Sequence, residues 1–516
     1  MKEKGALGVI SYASYTPGHY IDTVGWQWGL LEKSDEIEDN SLFGFSISRR
    51  VGEELKNRLL TGQRVVVQAK IETIFYPGRD EVVSAVIPGQ EQREEEFVLV
   101  AHLFEGISKQ GANDNNSGSS CILEVGRCLT RLINKGKINR PQRSIRFLWV
   151  PEYSGTIKYL EEYPDISKRM ICGINMDMVG CNLYQNNSPF HIYRTPYSLP
   201  SYINYVAEAM LEYAVDTNRV SIEGLPFDTI VAPTGSRQNF MAWMEEFDSE
   251  SDSDVFNIRQ VHVPMVFFCN WTDNFYHSSK DIPKNSDTTQ LKRAGFLGVA
   301  IALAVTNAKE TDVLEIAIDA ATRIRSRLAL SERKAYSILS QSPKVEMAQA
   351  HKKMLNLIEQ NYRVGLEGLT SCKLLARDKK ILDYIDLLKE KLLSEMDRSL
   401  EDFSQYYLLL CGILEQEPIS LKWTETESRL AVIFPTVKTK MIWPPLYELE
   451  EELEIFKTRN AAYEAFNLID GKRTILDIAR ALDAEFMDYG GVSPMAVEEY
   501  LTALEKTGLI KLNNIP

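Results

Sequence analysis

Residues Val98 to Gly118 read VLVAHLFEGISKQGANDNNSG. The apolar run Phe97 to Ala101 ends on His102, and Asp114 follows twelve residues later inside Gly111-Ala112-Asn113-Asp114-Asn115. Ser117 and Gly118 come next, and Cys121 to Ile133 then has the spacing of an amphipathic helix. The stretch therefore predicts a buried strand that delivers a histidine to its carboxyl end. A loop then presents an aspartate just before a helix. In an open α/β sheet that edge is where ligands and metals sit, and histidine with aspartate suits zinc or a similar metal. A strand-end histidine by itself is more often a packing residue, so the reading depends on the ends of the other strands.

The 516 residues predict more than one domain, about three. A hydrophobic fraction of 44% with 25% charged residues is ordinary for a globular chain with a sizeable core. The formal charge of -14 and a pI near 5.2 argue against a dedicated binder of nucleic acid or of anionic membranes. The seven cysteines are scattered and contain no CxxC, which reads as reduced thiols in a cytoplasmic protein. No run reaches the roughly 18 apolar residues of a membrane span. The start, MKEKGALGVISYAS, lacks the apolar stretch of a signal peptide and opens almost directly into a strand. A preceding segment is therefore expected to be missing.

Outward from the opening stretch, residues 1–75 read as a small β-rich unit. It has a strand at 5–12, a helix at 46–60 and a β-branched strand, RVVVQAKIET, at 64–73. From 76 to 310 strands alternate with helices: strands at 97–102, 144–150, 170–177 and 261–269, and helices at 117–135, 153–162, 199–214 and 287–307. The fold class is α/β, a mostly parallel sheet sandwiched by helices. Glu245 to Asp254, EEFDSESDSD, reads as a solvated acidic loop. Residues 311–444 read as a helical segment with a short β element, suited to a helical hairpin that packs on the core or on a second subunit as a homo-oligomer contact. Residues 445–516 read as helices 453–468, 474–485 and 494–506 followed by a strand, an order that resembles a winged helix. This segment holds 14 acidic against 7 basic residues, and its third helix carries Glu498, Glu499 and Glu505. Such a surface repels phosphate, so the unit is expected to pack against protein and not to bind nucleic acid.

Three more strand ends carry candidate ligands. Glu152 follows the 144–150 strand, Asp177 ends the 170–177 strand, and His277 follows VFFCNWTDN. With His102 and Asp114 they make two histidines and three carboxylates at the strand ends of one sheet. That is the donor set two zinc ions need, with one carboxylate bridging metals about 3.5–4 Å apart. Such a pair activates a water and polarises a carbonyl, which predicts hydrolysis, most naturally of an amide.

The motifs AHLFE, GANDNNSG, RFLWVPEYSG, NMDMVG, SDSDVF and DNFYHSSKD, in this order over about 95–305, resemble the co-catalytic zinc peptidases of metallopeptidase clan MH. That family includes leucyl aminopeptidases, glutamate carboxypeptidase and the non-enzymatic transferrin receptor. The resemblance implies that Asp114 bridges two metals, that His102 and Asp177 complete one site, and that Glu152 and His277 complete the other. It implies about two Zn2+ per chain, with Tyr276 and Asp254 as candidate substrate-site residues. Residues 5–12 and 45–72 resemble the later part of the protease-associated domain often inserted in this family. The C-terminal additions resemble a bacterial and archaeal subgroup.

Two positions depart from the family pattern. The family pairs two glutamates after the RF strand, first a general base and then a ligand; here the pair is Pro151-Glu152. Glu152 itself, or Glu105, is then the candidate base. Loss of a general base costs about 10²–10⁴ in rate. The aspartate that often orients the first histidine is replaced by Phe104, and loss of such a partner costs roughly tenfold to a hundredfold. The expectation is a cytoplasmic zinc aminopeptidase acting on peptides, with no membrane and no nucleic-acid partner. A peptidase-like binding protein without turnover and a hydrolase of non-peptide amides are the alternatives.

Overall fold

The computed structural model describes residues 4–12, 22–25, 42–72, 77–103, 109–222 and 230–514. Seven strands form the central sheet: β3 (Val83–Ile87), β4 (Gln92–His102), β5 (Arg143–Val150), β6 (Met170–Met176), β7 (Phe190–Tyr193), β8 (Ala242–Glu245) and β9 (Met265–Asn270). Their order is β3-β5-β4-β6-β9-β7-β8. The centre, β5-β4-β6-β9, is parallel, while β3 against β5 and β7 against β9 are antiparallel. This is the expected α/β sandwich.

The apolar run Phe97–Ala101 is continuous because both faces of the sheet are covered. Its side chains alternate between two cores. Phe97, Leu99 and Ala101 face the helices Asn116–Asn134 and Thr288–Thr306, whereas Val98 and Val100 face Tyr159, Leu160, Val255 and Phe256. Helix Asn116–Asn134 buries Ser117, Gly118, Cys121, Ile122, Val125 and Leu129, and Asn115 caps it by accepting from Gly118 N–H. A Cβ at Gly118 would collide with the Met176 carbonyl, so glycine lets this helix start directly on the end of β6. Register then aligns the carboxyl ends: His102 lies opposite Val150 and Val100 opposite Asn175.

The segment after the sheet forms three long helices, Glu310–Gln341, Met347–Ser371 and Lys379–Ile413, where a helical hairpin is the expectation. They pack on one another, and the first two also pack on helix Tyr202–Ile222. The C-terminal unit has its own core and comprises helices Leu446–Leu453, Arg459–Asn467, Ile475–Glu485 and Pro494–Lys506. Its strand β11 (Ile510–Asn514) pairs antiparallel with β10 (Ile433–Val437), which moves the start of this unit upstream of 445. The expected 453–468 helix is broken after Leu453, where Glu454 takes a left-handed conformation, and Thr458 caps a new start.

At the amino end, β1 (Gly8–Ser11) and β2 (Phe43–Ser46) pair parallel, followed by helix Arg49–Leu60. The strand expected at 64–73 does not form within the described residues 64–72. Val66 and Val67 are exposed, with no strand beside them. β-branched residues favour a strand only where a pleated, half-buried surface receives them.

Candidate metal centre and substrate cavity

His102 is the last residue of β4 and is buried, its carbonyl accepting from Ser119 Oγ at 2.6 Å. Asp114 sits in the turn before helix Asn116–Asn134 and is held there by backbone contacts. The N–H groups of Asn113 and Asp114 donate to the Asp281 carboxylate at 2.6 and 3.1 Å. Asn113 Nδ2 donates to Asp273 at 2.8 Å, and Asn113 Oδ1 accepts from Gly180 N–H at 2.9 Å. Asp177 follows β6, and its Oδ2 accepts from Ser251 Oγ at 2.8 Å. The asparagines and aspartates of GANDNN and DNFYHSSKD thus have distinct tasks: some face the site and others fix the chain that carries it.

His102 Nε2 lies 3.3 Å from Asp114 Oδ1 and 3.3 Å from Asp177 Oδ1. The ligand atoms of this trio converge within 4.8 Å. Zinc bonds to nitrogen or oxygen of about 2.0–2.1 Å place adjacent corners of a tetrahedron about 3.3–3.4 Å apart. A buried imidazole and two carboxylate oxygens at that spacing fit a divalent metal with an open fourth position. Asp114 Oδ2 faces the other way, 3.1 Å from His277 Nε2. The two oxygens of Asp114 thus face different imidazoles, Oδ1 that of His102 and Oδ2 that of His277. Among the described residues His102, Asp114 and Asp177 are the one group found to converge in this way.

Lys109 is a residue that sequence reasoning missed. Its Nζ lies 2.5 Å from Asp114 Oδ2 with its side chain 1% exposed, and it approaches the Tyr276 ring at 6.0 Å. Nothing in its local sequence distinguishes it from a solvated loop lysine.

The electrostatics favour bound positive charge. Burial by itself would lower the His102 pKa, but the charges of Asp177 and Glu152 and hydrogen bonds to Asp114 and Asp177 raise it well above the ordinary value. Burial opposes charge on Asp114, yet hydrogen bonds from His102 and His277 and the charge of Lys109 hold its pKa well below the usual aspartate range. Behind them, burial pushes Asp252 up to about 6 and Asp281 up to about 7.

The site forms the floor of a cavity of about 610 Å³. Asp114, Glu152, Asp177 and His277 line it, so four of the five sequence-predicted ligands share one wall and His102 lies directly behind. The remaining wall is aromatic and acidic: Tyr153, Tyr193, Phe267, Trp271, Tyr276, Asp248 and Glu250, with Trp443 and Tyr447 contributed from the C-terminal side. Tyr276 lines the cavity and is stacked on His277, with ring centroids 3.7 Å apart. Asp254 is not in the wall. It is fully buried and accepts from Tyr153 OH at 2.8 Å and Ser249 Oγ at 2.9 Å, so it supports the wall from behind and does not touch the cavity.

The tract Glu245–Asp254 corrects another expectation. Ser249, Ser251, Asp252, Ser253 and Asp254 are buried, because Asp252 accepts from Tyr153 N–H and Thr156 Oγ1 while Ser251 reaches Asp177. An acidic run is a solvated surface only when nothing nearby donates to it. Glu105 and Phe104 lie outside the described residues.

Residues 82–302 match the profile described as peptidase family M28. Among curated proteins, a glutamate carboxypeptidase 2 homolog from Caenorhabditis briggsae is 32% identical over 119 residues, covering 22% of this chain and 14% of that protein. The chain thus spans about one seventh of the curated relative it matches. Among solved structures, a zinc aminopeptidase from Bacillus subtilis is 19% identical, with 44% of this chain and 50% of that one covered and a TM-score of 0.32. A peptidase M28 precursor from Shewanella amazonensis is 15% identical, with 60% and 62% covered and a TM-score of 0.38.

Proposed function

Taking residues 82–302 as a peptidase family M28 domain, we propose that the protein is a metallopeptidase that removes residues from the amino end of peptides. The observation that carries this reading is the convergence of His102, Asp114 and Asp177 within 4.8 Å beside an open cavity. Zinc held by these residues would polarise the scissile carbonyl and lower the pKa of a bound water.

The rest of the work falls to the chain itself. Glu152, just past the end of β5, is one of three cavity carboxylates outside the converging trio, with Asp248 and Glu250, and we assign it the proton transfer from water to the leaving amine. The direction of cleavage follows from charge. Asp248 and Glu250 line the cavity together with the site carboxylates, and no arginine or lysine lines it among the described residues. A substrate ammonium group is attracted there, and a carboxy-terminal carboxylate is repelled. The aromatic walls supply apolar surface for the first side chain and faces for the ammonium.

Hydrolysis of aminoacyl-anilides and of their N-acetylated counterparts tests this reading. Turnover of the free-amine series alone, lost on chelation and restored by zinc, is the expected result. Equal turnover of the acetylated series, or release of carboxy-terminal residues from peptides, would overturn the direction of cleavage. Pro151, standing where the family places its first glutamate, supports the second reading of a binding protein without turnover. That reading predicts zinc uptake with no hydrolysis of any substrate in the panel.

A further inference from the structure

We propose that Lys109 supplies the second positive charge of this site, so that the chain binds one metal ion where the family pattern has two. The inference rests on the metallopeptidase reading and concerns the position shared by Asp114 Oδ2 and His277.

Three observations point to it. Lys109 Nζ and His277 Nε2 both lie on Asp114 Oδ2, at 2.5 and 3.1 Å. The ammonium therefore engages the Asp114 oxygen that would face a second metal. Second, the lysine side chain is 1% exposed and that of Asp114 3%. A buried ammonium needs a partner charge and does not leave it cheaply, since removing one member of such a pair strands the other. Third, the trio on the His102 side converges within 4.8 Å and has the spacing of a metal site.

Charge balance agrees with the geometry. Asp114, Glu152 and Asp177 bring three negative charges to the site. One divalent metal and Lys109 together match these three charges. Lys109 also approaches the face of Tyr276, the tyrosine stacked on His277, so the ammonium is placed among the groups that flank the second position. In this arrangement Lys109 is a positioning residue. It holds Asp114 Oδ2 in place so that Oδ1 stays directed at the metal.

Zinc stoichiometry of the full chain tests the assignment. The protein is equilibrated against zinc, freed of loosely held metal by gel filtration, and analysed for metal per chain. Wild type is expected to retain one zinc. Lys109→Met, which keeps the side-chain length and removes the charge, is expected to retain two, with the second bound at least about tenfold tighter than in wild type. Lys109→Arg is expected to stay at one. Two zincs of similar affinity in wild type, or a folded Lys109→Met protein that still holds one, would overturn the proposal. If Lys109→Met does not fold, the cobalt-substituted wild type decides: an electron paramagnetic resonance signal of isolated cobalt supports Lys109, and spin coupling between two cobalt ions refutes it. Failure is separable from failure of the proposed function. Two zincs with aminopeptidase turnover would remove only the lysine assignment, whereas one zinc with no turnover would remove only the activity.

Discussion

Asp114 is useful only while its backbone is fixed, and Asp281 fixes it. Both oxygens of Asp281 accept main-chain N–H groups, from Asn113 and from Asp114 itself. Replacing Asp281 with alanine leaves two buried donors without a partner and frees the turn. We expect zinc affinity of Asp281→Ala to fall about tenfold to a hundredfold, read by competition with a chromogenic chelator; an unchanged affinity would remove Asp281 from this role. Glu152 makes the opposite case. It lines the cavity without joining the converging trio, so Glu152→Gln should keep its metal and lose about 10²–10⁴ in turnover. Loss of metal in this variant would show that Glu152 is a ligand instead. At this scale the sequence exposed the groups that end strands, because a histidine or acid after an apolar run is conspicuous. It hid Lys109, since no local pattern marks a lysine whose partner is five residues away in a turn.

At the scale of elements, periodicity was readable wherever the local pattern and the tertiary surroundings agree. Phe97–Ala101 is apolar throughout because both faces of β4 are covered, and the helix that follows shows its buried stripe plainly. The tract Glu245–Asp254 was unreadable for the complementary reason. Ser249 and residues 251–254 are buried, with Asp252 accepting from Tyr153 and Thr156, far away in sequence. The absent strand at 64–72 fails in the same way, for it has the propensity without the neighbour. Gly118 tests how tightly the elements meet. A methyl there would strike the Met176 carbonyl and Asn115 Oδ1, at the junction of helix Asn116–Asn134 with β6. Gly118→Ala should lower stability by about 1–3 kcal/mol despite the better helix propensity of alanine. Urea unfolding would report this as a lower midpoint, and an unchanged or raised midpoint would show that the junction has slack.

Across the whole molecule, the C-terminal unit is joined to the region of the central sheet through buried polar groups, and this gives the assembly a pH dependence. Tyr463 OH donates to the Asp254 carbonyl at 2.7 Å, and Asn467 accepts from Arg259 N–H at 2.9 Å. Fully buried Glu464 accepts the N–H groups of Tyr197 and Ser198 at 2.7 and 3.0 Å. Burial pushes Glu464 up to about 6 against the hydrogen bonds it accepts, and burial together with the charge of Glu464 raises its neighbour Glu485 well above the usual range. Both folded-state values are raised, so the native protein holds these protons more tightly than the unfolded chain. The stability they contribute is complete below the ordinary glutamate value and is lost as pH rises through about 6 and beyond. Thermal unfolding of wild type should therefore occur at lower temperature as pH increases from about 5 to 8. Glu485→Gln puts an amide N–H donor beside Glu464 in place of the protonated carboxyl and removes the like charge. In this variant the decline should flatten, and the melting temperature at pH 8 should exceed that of wild type. The seam also brings Trp443 and Tyr447 to the substrate cavity, so loosening it at high pH should raise KM before it unfolds the sheet. A variant with the same pH slope as wild type would place the titration elsewhere in the chain and remove Glu464 and Glu485 as its source.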